Sequence, residues 1–249
     1  MTSVAHGRLT SRSGRAIRWA FTGRAGGVSQ GPFASLNLAA HVGDDPQAVQ
    51  ANRDLAGSLV DVAPGNLAVA DAVHGAHVAE VMGPGECTGA DGLVTAEAGI
   101  GLLALAADCV PMALLDAEQG LIGAVHCGWK GIGAGIVPAT VERLRAMGAG
   151  EVQAVIGPYV CVTCYPVEGT RVEELRSAVD PAVARASCIQ RDGRWHIDVG
   201  AGVCAQLAQL GVEVQVIPRC TVEDPGLFSY RRDQVTGRHG VLVSIQESG

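Results

Sequence analysis

The chain has 249 residues, a formal charge of −7 and 48% apolar residues of which few are aromatic, so its core is built from small side chains, and it is neither disordered nor fibrous. The acidic balance speaks against a general nucleic-acid or membrane-surface binder, because phosphate-rich partners reward a basic face, and leaves a small molecule as the expected partner. No stretch has the form of a signal peptide or reaches the about 18 uncharged apolar residues of a membrane span. A cytoplasmic protein is expected, in which the eight cysteines are core fillers, ligands or nucleophiles rather than a disulfide framework.

In chain order, residues 1–14 read as a flexible segment and RAIRWAFTG (15–23) as a strand, followed by the glycine-rich loop RAGGVSQGPFASLNL. Asp44, Asp45 and Pro46 make a helix start for PQAVQANRDLAGSLV. NLAVADAVHG, HVAEVM, ADGLVTA, GLLALAADCVPMALLD and GLIGAVHCGW are strand-like runs punctuated by Gly, Pro and Asp. Ile136, Val137, Val141 and Leu144 predict a helix from about Gly133 to Met147. EVQAVIGP is a strand, residues from about Thr170 to Val179 a helix, RWHIDV a strand, AGVCAQLAQLG a helix, and VEVQVIP and GRHGVLVSI strands. The alternation without a change of composition predicts one α/β domain with mixed sheets.

Three donor side chains close apolar runs: His74 in AVHG, Cys109 in ADC and His126 in VHCGW. Strand ends that converge can gather three such groups, and three protein ligands with a fourth position open is the pattern of a catalytic zinc. Spacing alone leaves equal room for a buried core thiol and two ordinary strand-end histidines. Neighbouring strand residues point to opposite faces, so Asp108 and Cys109 share a face only where the strand ends. Asp108 can support a metal-bound histidine, act as an acid or base, or simply cap a turn before Pro111. In GWKGIGAGIV (128–137) the glycine-rich turn into a helix, with Lys130, can seat a single phosphate or carboxylate, or the glycines can serve close packing. Cys161 and Cys164 form a C-x-x-C, but no second C-x-x-C closes a ribbon site, and a redox dithiol is not favoured. The H-x-E…P-C-x-x-C deaminase and G-x-S-x-G hydrolase signatures are absent.

The blocks FTGRAGGVSQGPFASLNLAAHVGDDP, VHG, ADGLVT, AADCVP, AVHCGWKG, IGP with the later CY, and CTVEDPGLFSYRRDQVTGRHG resemble, in order and spacing, the YfiH-type family. That family is labelled either a multicopper polyphenol oxidase (laccase domain) or a purine nucleoside phosphorylase. The resemblance runs from about residue 20 to 243. It implies an α/β/β/α sandwich and a metal site made of His74, Cys109 and His126. It also implies zinc-dependent phosphorolysis of adenosine, inosine, guanosine and S-methyl-5′-thioadenosine, with adenosine deamination as a second activity. Arg24, Asn37, Arg53, Lys130, Arg231 and Arg232 are the candidate substrate and phosphate contacts, and a monomer is expected. Two departures stand out: Ala72 where the family usually has Gln, and Cys127 and Lys130 where it has Ala and Arg, a change that loses the bidentate fork.

The copper label can be weighed on the chain itself. A four-copper oxidase draws its ligands largely from His-x-His pairs, whereas this chain has seven histidines and no such pair. Added Cu2+ would nevertheless compete for an N/S site, since it binds such donors more tightly than zinc. Two further readings stay open. One is a metal-free hydrolase with Cys109 as nucleophile and His126 as base; the other is an editing enzyme that removes wrongly built peptidoglycan precursors.

Overall fold

The structure, a computed structural model, describes residues 3–12 and 14–246. Its strands are β1 (Ala5–Thr10), β2 (Ala16–Phe21), β3 (Leu67–Asp71), β4 (Val78–Glu80), β5 (Gly85–Thr88), β6 (Gly92–Thr95), β7 (Gly101–Ala106), β8 (Val110–Asp116), β9 (Leu121–Cys127), β10 (Gln153–Ile156), β11 (Pro166–Val167), β12 (Cys188–Arg191), β13 (Arg194–Ile197), β14 (Glu213–Val216) and β15 (His239–Gln246). The helices are α1 (Pro46–Gly57), α2 (Trp129–Ala134), α3 (Ile136–Ala146), α4 (Gly169–Ala178), α5 (Pro181–Ser187), α6 (Val199–Gln209) and α7 (Tyr230–Asp233).

Two six-stranded sheets carry the fold, in the orders β1-β2-β15-β7-β3-β5 and β14-β10-β8-β9-β6-β4, with a small β11-β13-β12 sheet beside them. Both large sheets are mixed. Strand β3 runs parallel to β5 and β7, β10 to β14, and β4 to β6, while the remaining pairs are antiparallel. The side-chain period of two sorts the residues of each strand into layers. In β8, Val110, Met112 and Leu114 enter a core shared with Val137, Val141 and Leu144 of α3 and Val203 and Leu207 of α6. The alternate residues Ala113 and Leu115 face the other sheet, packing with Phe21, Leu102, Ala104 and Val243. The outer face of the first sheet, with Ala20, Leu103 and Leu242, packs against Ala56 of α1. Central strands are therefore buried on both sides, and the result is the expected α/β/β/α sandwich.

Helix α3 shows what holds these elements. Eleven residues are too few for a stable isolated helix. Burial of Ile136, Val137, Val141 and Leu144 supplies roughly 2 kcal/mol each, enough to hold it in place. The single helix expected from Gly133 to Met147 is two, because Gly135 takes the left-handed conformation (φ 85°), ending α2 and opening α3.

The flexible N-terminal segment expected over residues 1–14 is not what the structure shows. Ala5–Thr10 pairs antiparallel with β2 along its whole length, from Ala5 opposite Phe21 to Thr10 opposite Ala16. Its outward residues His6, Arg8 and Thr10 are exposed, which suits an edge strand that must not recruit another. Residues 1, 2 and 13 of that segment lie outside the described residues. No helix among the described residues is long and apolar enough to cross a membrane.

Candidate metal and substrate site

The run GLLALAADCVPMALLD is two strands, and the break is the first feature of the site. Strand β7 belongs to one large sheet and β8 to the other. Ala107, Asp108 and Cys109 make the crossing, with Asp108 at φ 98°, a conformation side chains rarely adopt. That turn frees Cys109 from strand geometry and turns it toward the end of β9, where His126 sits. His74 arrives on the loop after β3, itself at φ 62°.

The ligand atoms of His74, Cys109 and His126 all lie within 4.8 Å of one another. The two imidazole rings meet edge to face with centroids 4.7 Å apart. Gly128 makes the closeness possible, since a Cβ there would stand 2.9 Å from the Cys109 Sγ and 3.2 Å from the His74 Nδ1.

Asp91 organises the cluster from behind. Its fully buried carboxylate accepts the His74 and Gly75 backbone N–H groups at 2.8 Å each and faces His126 Nδ1 at 3.2 Å, while its own carbonyl accepts the His126 N–H. Burial works to raise the Asp91 carboxyl, but the hydrogen bonds from His126, Gly75 and Val73 outweigh it and hold the group below the usual carboxylate range. With Nδ1 engaged by a carboxylate, Nε2 of His126 is left to coordinate, the usual arrangement behind a metal-bound histidine.

Charge in the cluster follows from proximity. Burial acts to raise the Cys109 thiol, yet the neighbouring His126, with His74, brings it down to about 6. Burial acts to lower His126, and the charge of Cys109 with the Asp91 hydrogen bond pushes it up to about 9. A thiolate is the form a metal ion requires. Cys127, one residue on, points into the helix-side core, and burial raises its thiol well above the ordinary value.

The cluster opens into a cavity of about 750 Å³. Of the residues singled out from sequence, His74, Cys109, His126, Asp108, Lys130 and Arg231 line it. The cavity walls add Arg171, Arg238, Trp129, Tyr165 and Tyr230, which were not among the residues expected from the sequence. Cations and rings alternate there: Arg171 lies 5.2 Å above the Trp129 ring, Arg231 4.9 Å above Tyr165 and Arg238 5.7 Å above Tyr230. Arg231 donates to the Pro166 carbonyl and Arg238 to those of Thr236 and Gly237, so two of the guanidiniums are anchored.

Five other expected site residues are engaged by the protein itself. Asp108 lines the cavity, but its carboxylate is taken by Thr221 and Ser229 hydroxyls at 2.6 and 2.7 Å and by the Arg231 N–H at 2.6 Å. It clamps the C-terminal segment, and the histidine-supporting carboxylate is Asp91. Asn37 is fully buried, donating to Asp44 and the Ala39 carbonyl and accepting from the Arg238 N–H. Arg53 donates to the Leu38 carbonyl and pairs with Glu86. Arg24 donates to the Ala34 carbonyl, pairs with Asp233 and covers the Phe228 ring. None of these last three lines the cavity. They shape the glycine-rich loop, together with buried Asn52, which binds Val28, Ser29, Ser35 and Asn37. Arg232 likewise spends its guanidinium on carbonyls of the C-terminal segment and on Asp233.

Residues 18–246 match the family described as multi-copper polyphenol oxidoreductase laccase. The chain belongs to that family. A relative in Streptomyces griseus, named purine nucleoside phosphorylase ORF3, is 44% identical over 227 residues, covering 88% of this chain and 91% of that one. Among solved structures, YlmD from Geobacillus stearothermophilus superposes with a TM-score of 0.86 at 30% identity, covering 96% of this chain and 99% of that one. The YfiH protein of Bacillus licheniformis superposes with a TM-score of 0.84 at 27% identity, covering 92% of each chain. The sequence resemblance to the YfiH-type family is thus met in both sequence and fold.

Proposed function

We propose that the protein is a metal-dependent purine nucleoside phosphorylase, with zinc held by His74, Cys109 and His126. The observation that carries this reading is one cavity that has a two-histidine, one-thiolate cluster in its lining and cations alternating with aromatic rings on its walls. The donor set fits a borderline-soft ion, and three ligands leave one position for substrate. When bound, the ion supplies Lewis-acid polarisation at that open position.

The chain's own groups do the rest. Trp129, Tyr165 and Tyr230 present flat faces suited to a purine ring. Lys130, Arg171, Arg231 and Arg238 supply the positive charge that holds inorganic phosphate against the ribose. In phosphorolysis a phosphate oxygen bonds to the ribose anomeric carbon, the glycosidic bond breaks, and the purine leaves carrying the electron pair and then a proton. Adenosine, inosine, guanosine and S-methyl-5′-thioadenosine share that bond, and deamination of adenosine to inosine is the second activity assigned to the same cavity. The enzyme is assigned to the cytoplasm as a monomer.

Incubation of purified protein with adenosine, with and without phosphate, tests the proposal. Adenine and ribose 1-phosphate should appear only with phosphate, and inosine in either case. Absence of free base with zinc and phosphate both present overturns it. The Cys109 and His126 pair, with a lowered thiol and a raised imidazole, also suits a nucleophilic cysteine hydrolase. That second reading requires inactivation by iodoacetamide and indifference to chelators.

A further inference from the structure

Cys161 and Cys164 lie on the turn that follows β10, and the missing second half of their site comes from the other end of the chain. Cys220 and Glu223, on the turn after β14, form a C-x-x-E that faces the C-x-x-C. Parallel pairing of Tyr159 with Cys220 brings the two turns side by side. The Cys161 N–H donates to the Cys220 Sγ at 3.3 Å, and the Glu223 Oε1 lies 3.7 Å from the Cys161 Sγ and 3.4 Å from the Cys164 Sγ. All four ligand atoms fall within 4.8 Å of one another.

We propose that Cys161, Cys164, Cys220 and Glu223 form a second, structural zinc site, separate from the cavity cluster. A tetrahedron with metal–sulfur bonds of about 2.3 Å has sulfur–sulfur edges of about 3.8 Å, so the observed spacing closes around an ion with small side-chain shifts. Four protein ligands with none left open is the structural rather than the catalytic pattern. Three thiolates select a soft or borderline ion over Mg2+ or Ca2+.

The site would act on the cavity by position. Tyr165 follows Cys164 and lines the cavity, and Thr221 follows Cys220 and binds the Asp108 carboxylate. An ion here staples the loop after β10 to the C-terminal segment, fixing the Tyr165 and Arg231 wall. This holds whether or not the cavity is a phosphorylase site.

The test is metal analysis of protein from zinc-supplemented medium carrying Cys109→Ala and His126→Ala, which disables the cavity cluster. One equivalent of zinc per chain is expected, falling to near zero when Cys220→Ser is added. As a check that does not depend on those variants folding, wild-type protein stripped of metal and titrated with Co2+ should show intense thiolate-to-cobalt absorption that Cys164→Ser weakens strongly. Zinc absent from the double variant, zinc unchanged by Cys220→Ser, or a cobalt spectrum indifferent to Cys164→Ser overturns the proposal. So does a native mass lower by two hydrogens, which reports a disulfide in place of the ligands.

Discussion

At the scale of single residues, the cluster of His74, Cys109 and His126 depends on two residues outside it. Asp91 spends both carboxylate oxygens on the His74 loop and on His126. Asp91→Asn keeps the volume but offers an amide to groups that all need an acceptor. It should weaken metal binding about 10–100-fold, read by competition with a chromogenic chelator. Gly128 gives the clearance that the ligands need, because a methyl would press on the Cys109 sulfur and the His74 ring. Gly128→Ala should lose bound metal while its circular dichroism stays that of the wild type. That His74, Cys109 and His126 come together was legible because each ends an apolar run in a short block with Gly or Pro within two residues. Asp91 was equally visible in ADGLVT, but nothing local shows that its carboxylate reaches back to a loop 17 residues earlier.

Among elements, the strand break at Asp108 matters most. Asp108 and Cys109 mark a strand end within the run from Gly101 to Asp116, but nothing in it shows that its halves enter different sheets, since strands buried on both faces lack alternation. The positive φ of Asp108 is held by its three hydrogen bonds to the segment 221–231, whose position in sequence is more than 110 residues away. Asp108→Ala should therefore speed hydrogen exchange across residues 221–231 and lower turnover, with the metal retained; unchanged exchange there contradicts the clamp. Strand β5 (GECT) escaped notice because it is a short polar edge strand, and β1 because its half-exposed alternation is broken by Gly7 under the Trp19 ring. Arg24, Asn37 and Arg53, expected as substrate and phosphate contacts, lie off the cavity wall for a shared reason. The sequence places each polar residue in a functional block, whereas only the fold shows that its side chain is spent within the protein, on the Ala34 carbonyl and Asp233 for Arg24, on Asp44 and the Arg238 N–H for Asn37, and on the Leu38 carbonyl and Glu86 for Arg53.

Over the whole molecule, the two stacked sheets create a dry interior, and His239 at the start of β15 is fully buried within it. Burial pushes its imidazole down to about 4 from 6.5. The folded protein keeps this ring neutral while the unfolded chain protonates it, so its contribution is full above pH 6.5 and declines as pH falls toward about 4. Roughly 3 kcal/mol of stability is lost across that window. His239→Gln should flatten the acid limb of a urea-midpoint profile between pH 6.5 and 4, and an unaltered slope contradicts the assignment. The sandwich itself was legible from alternation of element types and from the family blocks. Its layer assignments were not, because they depend on which strands become neighbours.

A metal ion held by His74, Cys109 and His126 is proposed to carry phosphate-dependent cleavage of purine nucleosides. Stripped protein titrated with zinc, with base release from inosine followed in the presence of phosphate, tests it most directly. Release should be negligible without metal, rise with added zinc to saturation, and show no such rise in His126→Ala. Full activity in the chelated protein, abolished by iodoacetamide, would contradict it.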